Sequence, residues 1–405
     1  MLSNDTTGNS PAQSARRGTR RALDNLANRV SANETRSRFS QRNKLRRITG
    51  VPRVRDCGLA LRYNRQFVHL TRDAQGKARY CGLETCRRVW LCPVCAPRIS
   101  AQRAEVLEAQ ISEWIAGGGA VWFLTLTFPH DYEDELKVSA KLAAKAFTSV
   151  LRGRAAETDR ERYDVAGFVR ALEVTTGPNG WHPHLHVLVF LNCRRGVRAR
   201  RAFHSAIFAR FARSVVRAGF RTPDIRNCPI EVVETATVGR YVAKANGAAR
   251  EMTAGHLKRG RGTSRTPMQI LDDALRGGPE ALRLWAEYEP GMHRRRQLTY
   301  TRQLRKRLFP ETQAEPFVCT ATGETSMLTG SDGVAIYPSL WRRISEVDGL
   351  DRMLQVEFGQ RGYGAALDCA IDALKDRVAA NIIEVQFRHT EPLVPSDPDT
   401  CSPAN

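Results

Sequence analysis

The 405-residue chain has no apolar run long enough to span a bilayer, and its N-terminus lacks the apolar core of a signal peptide. Those two absences exclude a membrane-spanning protein and lead to the expectation of a soluble, cytoplasmic one with no membrane partner. Acidic side chains are in short supply: 42 Asp and Glu stand against 63 Lys and Arg, a formal net charge of +21. Such an excess points to a polyanionic partner, most often nucleic acid. The shortage is local. From residue 311 onward seven Lys/Arg face fifteen Asp/Glu, a net of −8, so residues 1–310 carry +29. A basic character kept only for solubility would not segregate in this way.

Large apolar residues are scarce in residues 1–50, which are rich in Ser, Asn, Thr and Arg. This stretch reads as a disordered basic arm with a short helix near Arg21–Val30. It is either an inert solvated tail or a source of non-specific DNA affinity through counterion release. The length leaves room for two or three domains. Composition divides the chain into the arm at 1–50, a Cys-rich segment with a helix at 51–115, a mixed domain at 116–250, a basic helical extension at 251–310 and an acidic, partly disordered accessory region at 311–405. In that last region helices are expected around Ser339–Ile344 and Gly364–Ala379, and nothing carries recognisable chemistry.

Of ten cysteines, five fall between Cys57 and Cys95, while Cys193, Cys228, Cys319, Cys369 and Cys401 are scattered. Clustering without a secretion signal suggests metal rather than disulfides. Cys92-Pro93-Val94-Cys95 is a knuckle that aims two thiolates at one tetrahedral ion, and Cys86 precedes it. Cys57-Gly58 and Cys81-Gly82 compete for the fourth position, since Gly after Cys permits the tight turn. The favoured set is Cys57, Cys86, Cys92 and Cys95, with Cys81 as rival. Four cysteines close a zinc shell, so a structural Zn²⁺ is expected there and no catalysis.

The centre of the chain is Trp181-His182-Pro183-His184-Leu185-His186-Val187-Leu188-Val189-Phe190. On a strand His184 and His186 point to the same face. The preceding Phe168–Thr175 segment also reads as a strand, and Asn179-Gly180 is a turn signal. With the turn centred there, Glu173 stands opposite His186 and Thr175 opposite His184. Glu173 then joins the histidine pair on one face. Two histidines and a carboxylate make a site with open positions for a divalent cation. The plainer alternative is a half-buried strand with two hydrogen-bonded histidines.

Around this hairpin the order of elements is regular. Ala120–Phe128 is a buried strand with two threonines on one face, and Glu135–Leu151 a helix. After the hairpin come a helix at Ala199–Ala218, a strand at Ile230–Glu234 and a helix at Ala236–Asn246. Strand-helix-strand-strand-helix-strand is the split βαβ, ferredoxin-like arrangement, an α+β fold with a central antiparallel sheet and helices on one face. The last helix carries Tyr241 and Lys244, which share a face at i,i+3. A tyrosine becomes a useful nucleophile when a cation stabilises its phenolate. Lys258, Arg259 and Arg261, then Arg294, Arg295 and Arg296, with Trp285 and Tyr288 between, suit a phosphate-gripping surface.

His-Pro-His-Leu-His-Val-Leu, the upstream Phe123-Leu124-Thr125-Leu126-Thr127 and the downstream Tyr241-x-x-Lys244 resemble the three motifs of rolling-circle replication initiators. These are the plasmid Rep proteins of the HUH endonuclease superfamily, here of single-tyrosine type. Cys86-x3-Trp90-x-Cys92-Pro93-x-Cys95 resembles the cysteine segment ahead of the catalytic domain in one branch. Ser264-Arg265-Thr266-Pro267 and Arg295-Arg296-Gln297-Leu298-Thr299-Tyr300 are similar to its later segments. The resemblance runs from about Cys57 to Leu308.

The resemblance implies a prokaryotic site-specific nickase-ligase. His184, His186 and Glu173 would bind Mg²⁺ or Mn²⁺ at the scissile phosphate of single-stranded DNA. Tyr241 would attack, leaving a 5′-phosphotyrosine and a 3′-hydroxyl that primes a host DNA polymerase. Origin DNA and a host helicase are the other implied partners. Some single-tyrosine relatives hold a water-activating Glu one helical turn before the tyrosine. That position is Thr237 here, and Glu234, two turns back, is the substitute or merely a strand-end residue. His182 is either a phosphate contact or an exposed turn residue. Two other readings remain. A relaxase or single-strand transposase would share the chemistry. A non-catalytic zinc-dependent DNA-binding repressor would leave Glu173, the histidines and Tyr241 without a role.

Overall fold

The computed structural model describes residues 37–72, 78–233, 248–249, 251–253, 263–309 and 333–390, except 349, 377, 380, 381, 384 and 385. The chain forms two compact units. One is built from Ile48–Cys57 and Thr85–Gly323, the other from the chain up to Arg47, Gly58–Glu84 and the chain from Glu324. Residues 51–115 thus contribute to both.

The larger unit contains, in chain order, α1 (Cys95–Ala116), β1 (Ala120–Leu126), α2 (Leu136–Val150), α3 (Arg154–Tyr163), β2 (Val165–Gly177), β3 (Gly180–Leu191), α4 (Val197–Arg217), β4 (Ile230–Val233), α5 (Pro267–Leu275), α6 (Pro279–Met292), β5 (Leu298–Tyr300) and α7 (Arg302–Leu308). Its five strands lie in the order β4-β1-β3-β2-β5, every pair antiparallel. The first four strands carry the split βαβ order expected from the sequence. The short β5 is an addition at the β2 edge.

Strand periodicity decides what each face meets. Val121, Val169, Leu188 and Phe190 share one face and pack against Leu107 and Ile111 of α1. Trp114 of α1 closes that layer, edge-on to Phe190 and donating its indole N–H to the Leu191 carbonyl at 2.7 Å. On the opposite face Phe147 of α2 meets Phe168, and Phe203 of α4 meets Trp122. Buried Leu136, Ala140, Ala143, Phe147 and Val150 form the stripe of α2 that sits on the sheet. Helices therefore cover both faces, not the single face expected. The helix of the cysteine segment supplies the second layer, which treating that segment as a separate module hides. The helix α3 is a further element that the sequence pattern does not predict. That helix is polar nearly all round and buries only Ala156 and Tyr163, so it has no apolar stripe to detect.

The β2–β3 hairpin differs in register from the expectation. Gly177 pairs with Gly180, Thr175 with His182, Glu173 with His184 and Ala171 with His186. The connection is thus Pro178-Asn179, not Asn179-Gly180. Pro178 supplies the preset φ of a first turn residue. Gly180 follows at φ +81°, where a Cβ would come within 2.8 Å of Tyr132 Cα. The shift is by two residues, so every side chain keeps its face. Pro183 lies within β3, paired with Val174, beyond the point where β1 ends opposite Leu185. There β3 has one neighbour only, and a residue without an N–H is tolerated.

The smaller unit is a four-stranded antiparallel sheet in the order Ala78–Cys81, Val68–Arg72, Gly333–Ile336, Phe387–Thr390. Helices Pro338–Glu346, Leu350–Arg361 and Tyr363–Leu374 accompany it, around Val68, Leu70, Trp341, Leu354 and Phe358. Residues 37–45, inside the stretch expected to be a disordered arm, are helical. Arg42 buries its guanidinium against Asp351 at 2.5 Å, and Leu45 is fully buried. Local composition conceals this because the partner lies 309 residues away. The short helix expected near Arg21–Val30, with the rest of residues 1–36, lies outside the described residues, as does the end of the accessory region.

Replacing Gly180 by valine places a branched side chain in a left-handed conformation against the Tyr132 backbone. Global stability should fall by about 2 kcal/mol or more, read as a lower urea midpoint with an unchanged m value.

Candidate metal centres and nucleic-acid site

Glu173 on β2 and His184 and His186 on β3 converge at the sheet end where β1 has stopped. One carboxylate oxygen, Glu173 Oε2, lies 2.8 Å from His186 Nε2 and 3.2 Å from His184 Nε2. Ala171, opposite His186, is small enough to leave the space into which Glu173 leans. The opposite nitrogens are held from behind. His186 Nδ1 is 3.3 Å from Thr125 Oγ1 on β1, and His184 Nδ1 faces the His182 carbonyl at 3.5 Å. Phe123 stacks on the His186 ring at 5.1 Å. Metal-binding histidines characteristically have the second ring nitrogen engaged, which orients the ligand nitrogen.

The three donor atoms lie within 4.8 Å of one another and could hold a metal ion. Burial would raise the Glu173 carboxyl, but hydrogen bonds from His184 and His186, and their charge, outweigh it and hold the group well below the usual carboxylate range. Glu173 is therefore an anion in a largely buried position, with imidazole nitrogens beside it. Nitrogen and oxygen donors with positions left open fit a hard or borderline divalent cation.

Threonines and histidines extend the cluster. Thr127 Oγ1 and His182 Nε2 are 2.6 Å apart, and His130 stacks on His182 at 4.7 Å. His182 is half-buried, so it is not an exposed turn residue. Burial, then the charges of His184 and His130, lowers its pKa to about 3, so it is a neutral imidazole. Strand alternation over Ala120–Phe128 puts Thr125 and Thr127 on one face, and sequence pattern alone assigns them no role. Two hydroxyls alternating in an otherwise apolar strand were the signal for polar partners across the sheet.

The second group is four sulfurs. Cys57 Sγ lies 3.8 Å from Cys92 Sγ and 3.6 Å from Cys95 Sγ, and Cys86 Sγ lies 3.7 Å from Cys95 Sγ. Backbone N–H groups of Cys86 and Cys95 point to the sulfurs of Cys57 and Cys92 at 3.4 Å, as a thiolate knuckle requires. The contact with Cys86, then those with Cys92 and Cys95, lowers the Cys57 thiol, while the contact with Cys57 raises those of Cys86 and Cys92. Four sulfurs at these separations could hold one cation among them, which would favour the thiolate form of each. A closed tetrahedral set of cysteines fits a structural ion. Cys81 stands apart, on the strand Ala78–Cys81 with its Sγ 3.7 Å from Thr71 Oγ1.

Tyr241, Lys244, Glu234, Lys258, Arg259 and Arg261 lie outside the described residues. Of the second basic cluster, Arg294 and Arg296 are exposed. Arg295 donates to the Gly291 carbonyl at 2.5 Å and the Lys137 carbonyl at 2.9 Å, which fixes the end of α6 to the start of α2. Trp285 and Tyr288 are buried, not part of a phosphate-gripping surface. Tyr288 stacks on Trp181 at 5.8 Å and donates to the Trp90 carbonyl at 3.3 Å.

The family described as replication protein matches residues 77–231, a span that holds the Glu-His-His group and three of the four clustered cysteines. A Streptomyces lividans protein named Protein rep is 30% identical over 306 residues, covering 60% of this chain and 67% of that protein. The chain belongs to the replication-protein family. A Neomycin resistance protein of Streptomyces cyanogenus is 32% identical to this replication protein over 152 residues, 31% of the chain and 35% of that relative. No solved structure matches. No helix among the described residues is long and apolar enough to cross a membrane.

Thr125→Val removes the hydroxyl behind His186 while keeping the side-chain shape. Affinity for Mn²⁺, measured by calorimetry on the metal-stripped protein, should fall by about 10- to 100-fold with no loss of fold. Cys92→Ser should lower the metal content of the purified protein, read by elemental mass spectrometry against wild type, and should lower the thermal midpoint.

Proposed function

We propose that this replication protein initiates rolling-circle replication of a plasmid by nicking one strand at the origin and rejoining the ends at termination. The observation that carries the reading is the convergence of Glu173, His184 and His186 on one hairpin inside the family-matched segment. A Mg²⁺ or Mn²⁺ ion held by these three residues would neutralise charge on the scissile phosphate. Thr125, Phe123 and the His182 carbonyl hold the two imidazoles in place for that task.

Tyr241 is the nucleophile. Its Oη forms a bond to phosphorus as the P–O3′ bond breaks, the phenolic proton leaves and the departing 3′ oxygen gains a proton. The products are a 5′-phosphotyrosine and a free 3′-hydroxyl for a host polymerase, with a host helicase opening the duplex. Lys244, three residues on, favours the phenolate by its charge. One phosphodiester replaces another, so rejoining by the reverse step needs no nucleotide. Glu234 is the candidate to activate water where Thr237 cannot. The four-cysteine group holds a structural Zn²⁺.

The test is a labelled single-stranded origin oligonucleotide incubated with protein and Mg²⁺ or Mn²⁺, followed by denaturing electrophoresis. A covalent adduct should form with wild type, require the metal, and be lost in Tyr241→Phe and in a double His184→Ala, His186→Ala variant. An adduct that persists in Tyr241→Phe moves the nucleophile to another residue. An adduct independent of the histidines removes the metal site from the chemistry.

A further inference from the structure

The sheet face opposite the Glu-His-His group holds an open cleft of about 520 Å³ beside α2. Its cations are Lys141, Lys145 and Arg152 from α2 and the loop after it, Arg170 from β2, and Arg295. The other lining residues are Ala144, Thr148 and Ser149, so among the described residues no carboxylate and no aromatic ring faces the cleft. Residues 141, 145, 148 and 152 recur at helical spacing, so the cations of α2 form a stripe on the side turned away from its buried positions. At 1.5 Å per residue the stripe is about 16 Å long, the axial length of four or five phosphates along one strand of B-form DNA.

Arg170 is the unusual member. It projects from a central position of β2 and is only partly exposed. Its Nη2 donates to Thr299 Oγ1 of β5 at 3.1 Å, while its Nη1 is buried with no hydrogen-bond partner. No carboxylate among the described residues pairs with it, and burial alone lowers its pKa. A guanidinium remains charged under such conditions. A partly buried guanidinium with one donor unsatisfied and no carboxylate beside it is costly and favours an anion. Arginine offers a planar fork that fits phosphate.

We propose that this cleft is a second nucleic-acid site, which grips the phosphodiester backbone of duplex DNA on the face opposite the metal group. The proposal rests on the reading of the protein as acting on DNA, but not on the nicking step. Duplex is favoured over single strand because the cleft offers no ring on which an unpaired base could stack. Backbone contacts carry no sequence information, so any duplex serves as the probe.

The test uses the full chain and a mixed-sequence duplex of about 30 base pairs, with anisotropy measured over a range of salt concentrations. In the triple variant Lys141→Gln, Lys145→Gln, Arg152→Gln, three lost phosphate contacts should reduce the salt slope by about 2.7 and weaken binding at least about 10-fold near physiological salt. All three positions are exposed, so the variant should fold as wild type does. Arg170→Gln, checked by circular dichroism, should weaken the same binding if it folds. The triple variant should still form the adduct on a short single-stranded oligonucleotide.

An unchanged duplex affinity and salt slope in the triple variant overturns the proposal. So does a loss confined to a single strand of the same length, or to anionic lipid vesicles. Should wild type form no adduct at all, the nicking reading falls while the duplex comparison still decides this one.

Discussion

A single oxygen of Glu173 is shared between two imidazoles across the β2–β3 hairpin, and the rest of the larger unit can be understood as what holds that contact. The three side chains must be on one face, which strand parity alone provides in any register that differs by an even number of residues. They must also be within reach along the strands, which parity does not provide. Pairing of Gly177 with Gly180 places Glu173 directly opposite His184 and diagonal to His186. Ala171 then opens the diagonal. A larger residue there would fill the space that brings Oε2 to 2.8 Å from His186 Nε2.

The hairpin tip is in turn braced from outside the sheet. Gly180 sits close against the backbone of Asp131 and Tyr132. Trp181 stacks on Tyr288, whose hydroxyl reaches the Trp90 carbonyl, while the Trp90 indole donates to the Arg295 carbonyl at 2.9 Å. Trp90 lies between Cys86 and Cys92. The four-sulfur group thus lies on a loop that touches the helix supporting the Glu-His-His hairpin. At the last residue of the knuckle, Cys95, α1 begins, and it packs on the same sheet face that carries Glu173 and the histidines. An ion held by these four sulfurs would make the loop a rigid origin for such a helix, because its backbone would be tied at four points rather than by packing alone.

Much of this was legible in the chain because two periodicities are strong there. The alternation of β1 and β3 and the apolar stripes of α2 and α4 placed four strands and two helices within a few residues. The parity of His184, His186 and Glu173 survived an error in the turn, since Pro178-Asn179 and Asn179-Gly180 differ by two residues in register. What escaped was non-local or polar. The burial of Arg42 depends on Asp351, and α3 has no apolar stripe to read. Trp285 and Tyr288 lie among basic residues in sequence, yet they face the core, because charge density along a chain does not report which face a helix buries. Ser264-Arg265-Thr266-Pro267 was a matched motif without a mechanism. In the structure Arg265 exchanges both backbone hydrogen bonds with Thr176 at the end of β2, and Thr266 forms a capping box with Gln269 to start α5.

Covering both faces of the sheet has a consequence for how charge can be used. Among the described residues α1 packs on the part of the Glu-His-His face formed by Val121, Val169, Leu188 and Phe190, and the group itself lies at the sheet end where β1 has stopped. The opposite face carries α2, whose apolar side is small enough, with Ala140, Ala143 and Ala146, to lie close to the strands. Its outer side is left free for cations, and Arg170 emerges beside it from the sheet itself. An anion gripped there would be attracted by long-range charge without competing for the donor atoms of the metal group, from which it is separated by the thickness of the sheet. Because the grip would lie on β2, the strand that also carries Glu173 three residues on, a backbone held at Arg170 would be positioned relative to the metal group by a rigid element rather than by a loop.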